Sequence, residues 1–249
     1  MDIAAYLKRI NYDGPLDPSA ETLRRLHRAH MLRVPFENLD IHLGRLIVLD
    51  ESKLLSKIVE QRRGGFCYEL NGAFGALLRA LGFDVAMLSA GVAREEGGFS
   101  PPFDHMALLV KLKERWLADV GFGDSFMEPL LLDYRQEQIQ AEGAYRISSD
   151  DDHLILEQRD DAGSWKPQYR FTLQPYQYEA FTQMCHFHQT SPDSHFTQKR
   201  TCSLAMPEGR ITLAGMRLIT TTRGERHERA LASEEECATV LREHFGVEI

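Results

Sequence analysis

The chain has 249 residues, 43% of them apolar and 27% charged, a composition that excludes a disordered chain, a collagen repeat and a disulfide-stapled miniature. At roughly 150 residues per domain the length predicts one large or two modest domains with an ample core. Twenty-nine basic residues against 37 acidic ones leave a formal net charge of −8, so no global basic field draws nucleic acid or an anionic membrane, and an anionic ligand needs a local site.

Asp2, Lys8 and Arg9 interrupt the opening MDIAAYLKRI where a signal peptide needs its apolar stretch, and no later segment has the length of a membrane span. The expected location is the cytosol. Cys67, Cys185, Cys202 and Cys237 form no C-x-x-C pair, which predicts reduced thiols.

Helices come first. Asp17-Pro18 offers an N-cap and first-turn pair for a helix with a stripe of Leu23, Leu26, His27 and His30. A second helix is predicted from about Ser52, with Leu55, Ile58 and Val59 inward. A third starts beyond Gly64-Gly65 and carries Phe74, Leu77, Leu78 and Leu81 at i, i+3, i+4, i+7 before Gly82 stops it. These make a helical domain over 1–82.

From Asp84 the period falls to two. Val85 and Met87, then His105 to Leu112, Trp116 to Val120, Tyr145 to Ile147, Leu154 to Leu156 and Tyr169 to Leu173 read as strands of an antiparallel sheet or barrel. A helix near Tyr178 to His188 interrupts them, strands resume at Ile211 to Leu213 and Met216 to Thr221, and a last helix begins with the capping box Ser233 to Glu236. This order predicts an α+β fold.

Arg62 to Glu69 sets Cys67 on the first turn of a helix behind two glycines. The unpaired amides and the helix dipole there predict a lowered thiol pKa, and the glycines predict room for a substrate beside the sulfur. Cys67 is then either a reactive nucleophile or a small buried hydrophobe.

A nucleophilic cysteine needs a base, and the base an orienting acid. His105 and Asp119 lie on adjacent strands of a predicted hairpin. An odd loop, such as Lys113-Glu114-Arg115, gathers Met106, Leu108, Val110, Leu112, Trp116, Ala118, Val120 and Phe122 on one apolar face and leaves His105 and Asp119 together on the other. An even loop would put Asp119 among the apolar residues. The pattern therefore permits the pair, with a surface His and a solvated Asp as the ordinary alternative.

Val34-Pro35-Phe36-Glu37-Asn38-Leu39, Arg63-Gly64-Gly65-Phe66-Cys67, Asp104-His105 and Asp119-Val120-Gly121-Phe122-Gly123 together resemble the arylamine N-acetyltransferase family, bacterial type. The likeness runs over nearly the whole chain, including Ser191 to Phe196 and Gly209 to Gly215. It implies a cysteine-protease-like helical domain over 1–82, an antiparallel β-barrel over 83–190 and an α/β lid over 191–249. It also implies a triad of Cys67 as nucleophile, His105 as base and Asp119 as orienting acid.

The implied reaction is a ping-pong transfer of acetyl from acetyl-CoA, a cosubstrate and not a permanently bound cofactor, through an acyl-cysteine to an arylamine, arylhydrazine or N-hydroxyarylamine. Residues matching Phe36, Phe122 and Phe196 wall the acceptor pocket in that family, although each is equally readable as core. Glu37 and Arg63 read as an ion pair behind the site or as solvated charges. Gly97 to Pro102 reads as a loop at the acyl-CoA entrance or as an exposed turn. Cys185, His186 and His188, with His195 and Cys202, lack compact metal-ligand spacing, so no metal is expected. An amide synthase closing macrolactams and a Cys-His-Asp hydrolase would use the same three residues.

Overall fold

A computed structural model describes all 249 residues. The helical part holds α1 (Ile3–Arg9), α2 (Ala20–Met31), the two-residue strand β1 (Phe36–Glu37), α3 (Leu39–His42), α4 (Glu51–Leu55) and α5 (Cys67–Ala80). Ser19 caps α2, its side chain accepting from the Thr22 amide at 3.2 Å, so Asp17-Pro18 lies before the helix and does not open it. The second predicted helix begins a residue early behind the Asp50 cap. It then widens into a π turn over Ser56–Glu60, which rotates Leu54, Lys57 and Ile58 inward in place of Leu55 and Val59. Gly82, at φ +91°, ends α5 after the Leu81 cap.

Eight antiparallel strands follow and curl into a nearly closed barrel: β2 (Asp84–Val92), β3 (His105–Lys111), β4 (Arg115–Ala118), β5 (Leu130–Leu131), β6 (Gln138–Gln140), β7 (Gly143–Asp150), β8 (His153–Arg159) and β9 (Trp165–Tyr176). Their order across the sheet is β5-β4-β3-β2-β9-β8-β7-β6. Two helices come next, α6 (Thr182–Thr190) and the short α7 (His195–Gln198).

The last segment builds β10 (Thr201–Met206), β11 (Gly209–Ala214), β12 (Arg217–Thr222), β13 (Glu225–Ala230) and α8 (Glu234–Val240). Ser233 caps α8 through the Glu236 amide, while Glu236 reaches back to Ala232. The final sheet has the order β1-β10-β11-β12-β13, so it takes its first strand from the helical part. Phe36 faces Ser203 and Glu37 faces Cys202 across that junction. The chain has no helix long and apolar enough to cross a membrane.

The β3–β4 hairpin decides where the polar groups go. Val110 faces Trp116 and Lys111 faces Arg115, leaving the odd loop Leu112-Lys113-Glu114. Met106, Leu108, Val110, Trp116, Ala118 and Val120 join the core under α2 and α5, while Ala107, Leu109 and Leu117 fill the barrel. Beyond β4 the alternation lapses, and Phe122 packs on the barrel side against His105 and Tyr169, not with Met106 and Leu108. Phe74 of α5 is fully buried in the first core, and truncating it to Ala costs about 3–5 kcal/mol.

Candidate active site

Cys67 opens α5 with Phe66 as N-cap residue, and the Phe66 amide donates to Glu69 Oε2 at 3.2 Å. Phe66 has no side-chain acceptor, so the start of the helix is held from behind by Glu69. The two preceding glycines serve packing and not substrate access. A Cβ on Gly64 would lie 1.9 Å from the Pro35 carbonyl oxygen, and one on Gly65 would lie 2.6 Å from Glu69 Cβ. The glycine that lets another element approach the cysteine is Gly121, where a Cβ would sit 2.7 Å from Cys67 Cα.

Behind this turn Glu37, Asp40, Lys57, Arg63 and Glu69 form a buried charge network. Arg63 meets Glu37 at 2.8 Å and Asp40 at 3.0 Å, and Lys57 meets Asp40 and Glu69 at 2.7 Å each. Glu37 also accepts from the Leu39 amide. The Glu37–Arg63 pair is therefore buried, which settles the choice left open by the sequence.

His105 and Asp119 come together inside the protein, 3% and 0% exposed, with His105 Nε2 at 2.7 Å from Asp119 Oδ2. A carboxylate only accepts, so Nε2 carries the hydrogen and Nδ1 is the nitrogen left for the cavity. Asp119 Oδ1 accepts from Asn71 Nδ2 at 2.8 Å and from the Gly121 amide at 2.9 Å. Burial pushes the Asp119 carboxyl up, but His105, Asn71 and the Gly121 amide more than offset it and hold it below the usual carboxylate range. Asn71 lies four residues after Cys67, on the same face of α5, and its carbonyl oxygen accepts from the Val120 amide.

His27 braces the pair from α2. Its Nε2 accepts from the Asp119 amide at 3.1 Å while Nδ1 lies 2.8 Å from the Met127 carbonyl, so Nδ1 donates and the ring is neutral. Burial lowers its pKa to about 4. On the barrel side the Tyr169 ring lies 5.0 Å from His105, its hydroxyl kept protonated by burial and then by the Asp119 charge.

Cys67, His105, Phe36, Phe122, Phe196, Asp104 and Gly121 line one cavity of about 360 Å³, with Val92, His195, Lys199 and Thr201 completing its wall. The three phenylalanines are half-buried. Asn38 fixes the lid side by donating to the Phe196 and Lys199 carbonyls at 2.9 Å each. The thiol itself departs from expectation: burial raises the Cys67 pKa, and the Asp119 and Asp104 charges add to that, against a lowering hydrogen bond from the Met106 backbone. Desolvation at 3% exposure outweighs the helix N-terminus.

Two of the residues weighed as metal ligands have other partners. Cys185 is buried in the first core, and His188 bonds to Asp104 and Ser194. Sequence reading missed Asn71, His27, Gly121 and the Asp104–His188 contact as parts of the site. Only Asn71 carried a usable signal, its i+4 spacing from Cys67.

Residues 19–249 match the N-acetyltransferase family profile. The arylamine N-acetyltransferase of Escherichia coli (strain K12) is 35% identical over 246 residues, covering 97% of this chain and 87% of the relative. The solved arylamine N-acetyltransferase from Salmonella typhimurium superposes with a TM-score of 0.93 at 33% identity, covering 98% of this chain and 90% of that one. The Mycobacterium marinum arylamine N-acetyltransferase in complex with CoA gives 0.92 at 31% identity, covering 99% and 93%. The α+β fold, with its barrel and lid, is thus that of an acyltransferase. The chain belongs to the arylamine N-acetyltransferase family.

Proposed function

We propose that the protein transfers an acetyl group from acetyl-CoA to the nitrogen of an arylamine or arylhydrazine by double displacement through an acyl-cysteine on Cys67. The observation that carries this reading is His105, held at 2.7 Å by the buried Asp119, in the wall of the cavity that Cys67 also lines. His105 Nδ1 takes the thiol proton, and Asp119 holds the ring in that tautomer and supports its charge.

With the thiol pKa raised by burial, the reactive species in this reading is the Cys67–His105 ion pair and not a free thiolate, His105 being the base that lines the same cavity. The thiolate attacks the thioester carbonyl, the C–S bond to CoA breaks, and CoA leaves as a thiol after accepting the His105 proton. The Cys67 amide at the helix start supplies a donor for the oxyanion. The amine then attacks the acyl-cysteine, gives its proton to His105, and regenerates Cys67.

A cavity of about 360 Å³ walled by Phe36, Phe122 and Phe196 suits one aromatic ring better than a macrolactam precursor, and its apolar walls favour an amine over water as acceptor. A neighbouring cavity of about 500 Å³, lined by Arg94, Ser100 and Pro101 and sharing Val92, Asp104 and His195 with the first, offers the donor a route past the Gly97 to Pro102 loop. Initial rates with acetyl-CoA and 4-methoxyaniline test the mechanism. Parallel double-reciprocal lines are expected; intersecting lines would exclude double displacement.

A further inference from the structure

Asp104 directly precedes His105 and its carboxylate lies between the two cavities. His188, on α6 and 2% exposed, places Nε2 at 3.2 Å from Asp104 Oδ1 and at 3.2 Å from the Asp104 carbonyl oxygen. Ser100 Oγ donates to Asp104 Oδ2 at 2.6 Å. Nε2 faces only acceptors, so it carries a hydrogen. The other nitrogen, Nδ1, is 3.3 Å from Ser194 Oγ, a hydroxyl able to donate or to accept. The same hydrogen-bonding frame therefore accommodates both the neutral and the charged imidazole.

We propose that Asp104 and His188 are positioning residues whose combined charge sets how readily Cys67 passes its proton to His105. A bare Asp104 carboxylate in the shared cavity opposes negative charge on the sulfur, and the His188 Nε2–H that donates to it offsets that opposition. The inference rests on the roles given above to Cys67 and His105.

Asp119 raises the Cys67 thiol more than Asp104 does, and Lys199 brings a cation to the wall of the same cavity, but neither makes a hydrogen bond to Asp104 or His188. Burial pushes the Asp104 carboxyl up, but hydrogen bonds from His188 and Ser100, and the His188 and His105 charges, hold it below its ordinary value. Asp104 in turn contributes to raising the Cys67 thiol. The other titratable groups facing the pair are Tyr68 and Cys67 from α5, His105 from β3 and His195 from α7, whose ring is 6.4 Å from that of His188. Arg94 and Asp193 line the same cavity from β2's exit and the α6–α7 turn. His195 is held below its ordinary value, first by burial and then by His188, so it brings little positive charge of its own.

The test is the pH profile of Cys67 alkylation by iodoacetamide, read by peptide mass spectrometry and independent of turnover. Asp104→Asn moves the profile to lower pH by about one unit, an increase of about tenfold in rate at a fixed pH on its rising limb. His188→Gln, which removes the imidazole partner and leaves the carboxylate, moves it to higher pH. The Asp104→Asn/His188→Gln double variant follows Asp104→Asn, because no carboxylate remains to be neutralised. Asp104→Thr is the second variant should Asp104→Asn fail to fold. Opposite displacements support the proposal, and any other pattern overturns it. A Cys67→Ala enzyme that still transfers acetyl groups would instead break the reading of Cys67 as nucleophile.

Discussion

The first turn of α5 separates two buried polar clusters, one of Glu, Asp, Lys and Arg and the other of Cys, His and Asp. Behind it, Lys57 and Arg63 are closed in by Glu37, Asp40 and Glu69, and every charge has a partner within 3.0 Å. In front of it, His105 is bonded to Asp119 and His188 to Asp104, while Cys67, His105, Asp104 and His188 border open cavities. The rear cluster has two cations for three carboxylates, and the excess is relieved at Glu69. Burial first, with the Glu37 charge added, pushes its pKa up to about 7 against the attraction of Lys57. The difference teaches that pairing sealed from solvent builds a support, whereas pairing beside open volume leaves a thiol and a ring nitrogen available to a reactant.

That contrast can be broken from either side. In front, Cys67→Ala should lower acetyl transfer by at least about a thousandfold with the melting temperature almost unchanged; a folded variant with wild-type rates would remove the thiol from the chemistry. Asp119→Asn should lower kcat/KM by about a thousandfold to ten-thousandfold, since the amide reverses the hydrogen-bonding demand on His105, and steady-state rates on folded protein decide it. Behind, Arg63→Met should instead cost about 3–5 kcal/mol of stability by leaving Glu37 and Asp40 buried with too little positive charge. Urea unfolding measures that loss, and a variant as stable as wild type would show the network to be dispensable.

The smallest effect is one of pH. His27 has its pKa lowered from 6.5 to about 4, so the unfolded chain binds the proton first and stability rises with pH across that window. Glu69, raised from 4.5 to about 7, has the opposite sign and makes stability fall as pH rises between those values. His27→Gln should therefore flatten the acid limb by up to about 1.4 kcal/mol per pH unit, and Glu69→Gln should flatten the opposing trend. Denaturant midpoints between pH 4 and 7 measure both, and unchanged slopes would contradict the assigned protonation states.

Elements with a strong local signal were legible in the sequence. The stripe of α5 and its stop at Gly82, the Ser233 cap and the parity of the β3–β4 hairpin all follow from spacing, and the parity permitted His105 to lie beside Asp119. Strands without such a signal were not. β1, β5 and β6 are two or three residues long, and β13 reads Glu-Arg-His-Glu-Arg-Ala, exposed throughout. The direction of the Cys67 thiol was misread because a helix start can be recognised locally but its desolvation cannot. The Asp104–His188 contact joins residues 84 apart in the chain and depends on how α6 lies against β3.

The central claim is that Cys67 carries the acyl group between donor and acceptor, and intact-protein mass spectrometry after brief exposure to acetyl-CoA tests it most directly. The account predicts one acetyl group per chain, mapped to Cys67, persistent until an aromatic amine is added and absent from Cys67→Ala. No adduct in an enzyme that still acetylates amines, or an adduct lost equally fast with and without amine, would contradict it.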